Sequence, residues 1–440
     1  MGPDVNGGDG RGKECRSDAG ELTARTEAGR RMVELAQEHA ADFATRAADH
    51  DRDNTFVREN FEAMKASGFL AATAPQEFGG LGVSSLHDLV VAVSRLARGC
   101  PSTAIAANMH LGFVWSTARG WRAAAQPPPQ LTMLLRLLGR GRIVVSHAGT
   151  EPGGGAISFP RTTAEPVPGG YRINGHKIFA TNAEIAETVV VFLRVPDGAG
   201  WFNAGTAVVR TGTPGMTVER TWDALGMRGS GSHDIRFTDC VVGRDMVLVG
   251  RPLGEMATEW PGLLAVNFPL VAAYVGIAER AMSHVTELAV TRRQQPSGQL
   301  LADRAPVRSQ VAEMAVELAV ARATLGRAAE AIDAFLARPD AEVEPADAYR
   351  AIEDFQVAKL VVNRSAAAVV DRAMAVTGGQ SYRTGHLLNR LYRDVRAGGF
   401  MQPYSPPEAL EFVGRTALGL DPFEELRDSL ASARAAAAAG

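Results

Sequence analysis

Thr150-Glu151-Pro152-Gly153-Gly154-Gly155, followed by Tyr171-Arg172-Ile173-Asn174-Gly175-His176-Lys177-Ile178-Phe179-Ala180-Thr181-Asn182, is the stretch that decides how the rest of the chain is read. A strand-like run over 142–146 leads into it. A hydroxyl and backbone amides are therefore offered where bulky side chains would keep a flat ligand away. That suits a cofactor seat. Asn174-Gly175, between alternating apolar positions, is the strongest short-range signal of a hairpin turn. Counting on by twos places Phe179 and Thr181 on one face of the returning strand, so an aromatic ring and a hydroxyl are expected to share a surface.

Outward from this stretch the apolar period changes twice. Toward the C-terminus it stays near two, with strands expected at 142–149, 161–166, 171–181, 187–195, 205–211, 216–222 and 232–239, separated by glycine and proline turns. Toward the N-terminus it is helical. Met32, Leu35, Ala36, His39 and Phe43 recur on one face, and helices are expected at 56–67, 86–98, 102–119 and 130–138. Beyond about residue 261 the helical period returns, with Val311, Met314, Leu318 and Leu325 on one stripe and Ile352, Phe355, Val362 and Val369 on another. The organisation expected is a tail over 1–20, an N-terminal helical domain over 21–141, a middle β-barrel or sandwich domain over 142–250, a C-terminal four-helix bundle over 251–428, and a tail over 429–440. The fold class is α+β.

The chain has 440 residues, 46% hydrophobic and 22% charged, which is enough for more than one core. A net charge of −3 leaves no polybasic footprint for nucleic acid or anionic lipid. No apolar run reads as a membrane span. Cys15, Cys100 and Cys240 are few, odd in number and far apart, which points to a reducing cytoplasm rather than a disulfide framework, and no secretory signal is evident. No metal site is expected.

Three motifs in order, Thr150-Glu151-Pro152, then Asn174-Gly175-His176-Lys177 with Thr181-Asn182, then Leu225-Gly226-Met227-Arg228-Gly229-Ser230, resemble the middle domain of the acyl-CoA dehydrogenase superfamily. Ala74-Pro75-Gln76-Glu77-Phe78-Gly79-Gly80-Leu81-Gly82 resembles a loop of that family's N-terminal domain. Gly276-Ile277-Ala278-Glu279-Arg280, Gly378-Gly379 with Tyr382, and Arg393-Asp394 resemble landmarks of its C-terminal bundle. The resemblance implies FAD between the β domain and the bundle. It places His147, Gly149 and Thr150 along the isoalloxazine, Phe179 and Thr181 at its other edge, and the Thr181 hydroxyl near flavin N5, where a hydrogen bond tunes hydride acceptance. Arg292 and the Gly378-Gly379 loop are implied to reach the pyrophosphate of a neighbouring subunit's FAD, hence a homodimer or homotetramer. Alone, Arg292-Arg293 reads as an ordinary helix end, the surrounding matches tilt it toward the pyrophosphate, and Arg393-Asp394 reads as architectural.

The same resemblance exposes departures. The family's Gly-Ser-Asp is Gly155-Ala156-Ile157, and its Phe-Gly after the arginine is Gln295-Pro296. The position of the catalytic glutamate is Gln402, or Pro403 with a shift of one, and neither can take a proton. The alternative position on the earlier helix is Val266, beside Asn267. Three explanations stand side by side. The first is another base, with His147, His110, Glu408 and Glu411 as its candidates. The second is the chemistry of the family's flavin monooxygenases, in which reduced FAD or FMN and O2 oxygenate nitrogen, sulfur or carbon. Or the subunit is non-catalytic. The motifs rank dehydrogenation of an acyl-CoA or carrier-bound thioester first. Partners implied are a small-molecule or thioester substrate, an acyl carrier protein, an electron-transfer flavoprotein or a flavin reductase.

Overall fold

The computed structural model describes residues 20–153, 159–253, 260–339, 342–401 and 403–439. The expected N-terminal tail therefore lies, but for Gly20, outside the described residues, as do Gly154, Gly155, Ala156 and Gln402. The N-terminal helices are α1 (Glu27–Phe43), α2 (Ala47–Asp53), α3 (Arg58–Ser67), α4 (Leu86–Gly99), α5 (Pro101–Ala123) and α6 (Pro129–Gly139). Their ends follow local chemistry. The Thr26 hydroxyl accepts from the Gly29 amide at the start of α1, and Ser85 accepts from the Asp88 amide at the start of α4. Pro101 opens α5 and Pro129 opens α6, where a missing N–H leaves nothing unpaired. Gly68, at φ 80, ends α3.

The β segment holds β1 (Val145–Ala148), β2 (Thr163–Val167), β3 (Gly170–Ala180), β4 (Thr188–Pro196), β5 (Phe202–Arg210), β6 (Met216–Glu219), β7 (His233–Gly243) and β8 (Val247–Pro252). They form one eight-stranded sheet in the order β6-β7-β3-β2-β4-β5-β8, with β1 parallel to β4. The sequence period finds all of these except β8. Its inner face is Ala164, Ile173, Ala180, Val189, Val191, Leu193, Ala207, Val209, Ile235 and Phe237.

One expectation is corrected here. Asn174-Gly175 is not a turn but lies within β3, where Asn174 pairs with Thr163. The hairpin closes at Pro168-Gly169, with Gly169 at φ 85. Gly175 is required for another reason: a Cβ there would stand 2.3 Å from Oγ1 of Thr162. Asn174 exchanges bonds with Asp239, donating at 3.2 Å to its carboxylate and accepting at 2.8 Å from its amide.

The C-terminal helices are α7 (Trp260–Asn267), α8 (Leu270–Thr291), α9 (Ala305–Leu336), α10 (Pro345–Thr377), α11 (Leu387–Val395), α12 (Pro406–Ala417) and α13 (Glu424–Ala439). Met32 and Leu35 of α1, Leu89 and Leu96 of α4, Ile277 of α8, Met314 and Leu318 of α9, and Val362 and Val369 of α10 belong to a single buried cluster. The two helical parts of the sequence are thus welded through one core. Gly276 is where α8 crosses α4, since a Cβ there would lie 2.2 Å from the Ser94 carbonyl. The stretch Pro261–Thr291 is, by length and composition, apolar enough to cross a membrane, which amends the sequence reading. In this structure 78% of its most apolar window is buried, as in the central helix of a bundle.

Candidate functional site

The Thr150 loop is held by a buried ion pair. Lys177 of β3, with no exposed surface, donates to Oε1 of Glu151 at 2.8 Å and to the Gly149 carbonyl at 3.1 Å. Glu151 also accepts from the Thr162 hydroxyl at 2.6 Å and from the amides of Arg161 and Thr162 at 2.7 and 2.8 Å. Burial works against its charge, but these donors, Lys177 foremost, outweigh it and hold the carboxyl at about 2. Burial likewise pushes Lys177 down, with Glu151 opposing. The Ile178 amide donates to the Thr150 carbonyl at 2.9 Å, so the loop is stitched to β3 just before Phe179. Glu151 and Lys177 therefore shape the seat without facing a ligand.

Next along β3 the register slips. Lys177 pairs with Ile235 but Ala180 pairs with His233, a β-bulge, and Phe179 takes φ 59. The expected sharing of one face by Phe179 and Thr181 does not hold, because the bulge consumes the alternation. Phe179 is 56% exposed and meets Trp222 edge to face at 6.1 Å, while Thr181 lies just past the strand and is buried. Thr181 Oγ1 lies 2.9 Å from the Ser232 hydroxyl, which lies 2.8 Å from that of Ser230, and Ser146 donates to the Thr181 carbonyl at 2.7 Å. All four hydroxyl residues are buried. Ser232 and Trp222 were not singled out from the sequence; Ser230-Gly231-Ser232, with hydroxyls two apart, was the available signal.

The two histidines differ. His110, fully buried on α5, has both ring nitrogens engaged: Nε2 lies 3.0 Å from the Leu70 carbonyl, and Nδ1 accepts from the Val145 amide at 3.2 Å. Burial brings it to about 4, so it is a neutral strut tying α5 to β1 rather than a free base. His147 of β1 is also buried and also at about 4, first through burial and then through His110. Its Nε2, however, has no partner among the described residues. The ring packs against Phe113 at 5.3 Å and Phe192 at 6.4 Å. An orphaned buried nitrogen is uncommon and marks a place where a ligand can complete the bonding.

The remaining sequence candidates fall elsewhere. Arg292 caps α8 and donates to the Thr377 carbonyl at 3.2 Å, so it stands beside Gly378, at φ 79. Cβ atoms on Gly378 or Gly379 would meet nothing within 4 Å, leaving this edge open. Glu408 is an exposed capping residue, accepting from the Ser405 amide at 2.5 Å, and Glu411 pairs with Arg415 at 3.8 Å. Val266 is buried. Arg393-Asp394 is architectural, as expected: Arg393 holds Asp51 of α2 and the Leu225 carbonyl, and Asp394 accepts from the Met227 amide at 2.6 Å. His176, Glu219 and Asp234 bring three metal-ligand atoms within 4.8 Å, but Arg236 binds Glu219 and Thr221 binds Asp234, so the group is bonded internally.

The geometry offers an exposed aromatic surface at Phe179 and Trp222, a buried chain of hydroxyls, and a neutral imidazole with an unused nitrogen. Such a set favours a flat, uncharged ring system with a hydrogen-bonding edge. Known proteins give it a context. The descriptions of the acyl-CoA dehydrogenase N-terminal, middle and C-terminal domains match residues 26–121, 146–240 and 263–402. The amino sugar nitrososynthase DnmZ of Streptomyces peucetius is 36% identical over 92% of this chain and 96% of its own length. The putative acyl-CoA dehydrogenase YdbM of Bacillus subtilis is 27% identical over 84% and 92%. Among solved structures, KijD3 in complex with FMN and dTDP-3-amino-2,3,6-trideoxy-4-keto-3-methyl-D-glucose superimposes with a TM-score of 0.82 at 34% identity, over 91% of this chain and 96% of that one. The chain is a member of the acyl-CoA dehydrogenase superfamily.

Proposed function

We propose that this protein is a flavin-dependent N-oxygenase whose substrate is an amino sugar carried on a nucleoside diphosphate. The observation that carries the reading is its full-length likeness to the nitrososynthases, which is stronger than its likeness to the dehydrogenases. The site agrees with it. Removal of an α-proton from a thioester calls for a carboxylate, and the residues at the two family positions are Gln402 and Val266, while Glu408 and Glu411 serve helix α12. This reverses the order in which the motifs alone rank the two reactions.

The residues present fit a flavin: Phe179 and Trp222 supply an aromatic surface, Thr181 a hydroxyl, and His147 an unpaired nitrogen. When bound and reduced, the flavin supplies two electrons to O2, one oxygen atom passing to the amine and the other leaving as water. The protein's part is to present the amine as a free lone pair. A neutral imidazole at Nε2 can exchange a hydrogen bond with it without adding a competing charge. Phe113 and Phe192 around that ring keep water from the reacting nitrogen. FMN suffices for this chemistry. With FAD, Arg292 and Gly378-Gly379 would be free to hold the pyrophosphate of a second copy's cofactor, and the assembly is then a homodimer or homotetramer. A monodisperse monomer retaining FAD would contradict that arrangement.

The test supplies purified protein with FMN, a flavin reductase, NADH, O2 and a dTDP-3-amino sugar. Gain of oxygen at nitrogen, seen by mass spectrometry as hydroxylamine and then nitroso product, is expected. No such product, together with anaerobic bleaching of the flavin by an acyl thioester, would establish the dehydrogenase instead. Failure to bind flavin at all would leave a non-catalytic subunit.

A further inference from the structure

We infer that Arg194 binds the diphosphate of the sugar nucleotide, at the phosphate next to the sugar. The inference rests on the amino-sugar reading and gives the charged end of that substrate a place. His147 of β1 pairs with Val190 of β4. Val190, Phe192 and Arg194 alternate along one face of β4, while Val189, Val191, Leu193 and Val195 fill the inner face of the sheet. The His147 and Phe192 rings are 6.4 Å apart, and a Cβ on Gly149 would lie 3.6 Å from the Phe192 ring, so the loop that carries Thr150 runs past the same face. Arg194 stands one alternation beyond Phe192, roughly 7 Å further along the strand. From imidazole to guanidinium is then on the order of 10 to 15 Å, which a 3-amino hexose and the phosphate on its anomeric oxygen span with one hydrogen bond at each end. In a CoA thioester the whole pantetheine arm separates the reacting carbon from the diphosphate, which is too long for this spacing.

The Arg194 side chain is held by rings and not by an anion. Its Cζ lies 4.1 Å from the centre of the Phe202 ring and 5.6 Å from that of Phe159. Phe159 in turn rests on Trp201 at 5.9 Å, and Trp201 Nε1 donates to the Leu253 carbonyl at 3.1 Å, so the stack is anchored. Nε is buried without a partner, and the guanidinium makes no hydrogen bond or ion pair among the described residues. Burial works against its charge, with Glu151 opposing from nearby. Glu151 cannot serve as its counter-ion, because Lys177, the Thr162 hydroxyl and two amides already occupy that carboxylate. A cation drawn partly out of water with no partner is relieved by an anionic ligand. Rings on its face fix the plane of a guanidinium and leave its in-plane N–H groups unused, which is the geometry for a forked bond to phosphate oxygens.

The experiment titrates FMN-loaded protein with dTDP, dTMP and CoA by calorimetry. Wild type is expected to bind dTDP more tightly than dTMP, which lacks the phosphate next to the sugar. Arg194→Gln is expected to weaken dTDP about tenfold and dTMP little, so that the two dissociation constants converge. Arg194→Lys, which keeps the charge and loses the fork, is expected to fall between Arg194→Gln and wild type. In turnover of the dTDP-3-amino sugar, Arg194→Gln is expected to raise KM by a similar factor with kcat nearly unchanged. An Arg194→Gln protein that binds dTDP as wild type does, or that weakens dTDP and dTMP alike, would overturn the assignment. Should Arg194→Gln not fold, Arg194→Lys is expected to weaken dTDP by less, and an unchanged constant there is equally adverse. Wild-type protein that takes CoA and not dTDP would remove the amino-sugar reading itself, whereas dTDP bound without regard to Arg194 removes only the anchor.

Discussion

Phe179 carries a bulky side chain at φ 59, a region where L-residues are strained by roughly 1 kcal/mol or more. It is also more than half exposed, so burial does not offset that strain. Phe179→Gly is therefore expected to raise stability by about 1 kcal/mol while weakening FMN binding several-fold, as read by denaturant unfolding and by flavin titration. A variant that loses stability would show that the ring is held for packing on Trp222 instead. Glu151 shows the opposite economy, being costly to remove. Its folded value of about 2 lies below the ordinary 4.5, so its stabilisation is complete above pH 4.5 and is lost as pH falls toward 2. Glu151→Gln leaves Lys177 buried without its counter-ion and is expected to destabilise by roughly 3 kcal/mol at pH 7. The gap to wild type should narrow by on the order of 2 kcal/mol between pH 6 and pH 3. Unfolding free energies at those pH values would show it, and a constant gap would deny the pair its role.

Among the elements, the sequence made the strands around β3 and the long helices legible because their periods are local properties. What it hid were the contacts made by residues far away in the chain. Gly175 was read as a turn because Asn-Gly usually is one; its cause is the Thr162 side chain from the facing segment. The bulge at Phe179 was hidden because it depends on β7 carrying one residue fewer across that stretch. Thr181 stands out in the sequence through its hairpin motif, but its partner Ser232 comes from a segment fifty-one positions away. Lys359 on α10 is the clearest case. Its ammonium donates to the carbonyls of Met401, Pro403 and Tyr404 at 2.5, 2.8 and 2.5 Å, closing the segment on either side of the family's base position. A lysine in the middle of a helix gives no local sign of that. Lys359→Met keeps the apolar stem but removes three bonds, and the carbonyls lose their donor. A loss of roughly 3 kcal/mol is expected in urea unfolding, with faster proteolysis near 401–404. Unchanged stability would mean that water replaces the ammonium there.

At the scale of the whole molecule, Asp394 of α11 is one of the charged groups through which the β segment and the helices meet, beside the Arg58–Glu184 and Lys65–Glu187 pairs at 3.6 and 3.7 Å. It accepts from the Met227 amide in the β segment, and its neighbour Arg393 reaches Asp51 of α2, so three parts of the chain converge within one turn of helix. Burial raises the Asp394 carboxyl to about 6, with the Met227 amide and Arg390 opposing. A folded value above the ordinary 3.8 means that the contribution is fully present below pH 3.8 and is lost as pH rises through about 6. Above that pH the junction holds a buried carboxylate that the unfolded chain would leave in water. Asp394→Asn retains a carbonyl for the Met227 amide and carries no charge. It is expected to match wild type or fall slightly below it at pH 5, and to exceed it at pH 8 by on the order of 2 kcal/mol. Thermal unfolding across pH 5 to 8 decides this. Parallel profiles would mean that Arg390 and Arg393 compensate the carboxylate fully, and a variant that is less stable throughout would make the charge itself the fastener of the junction.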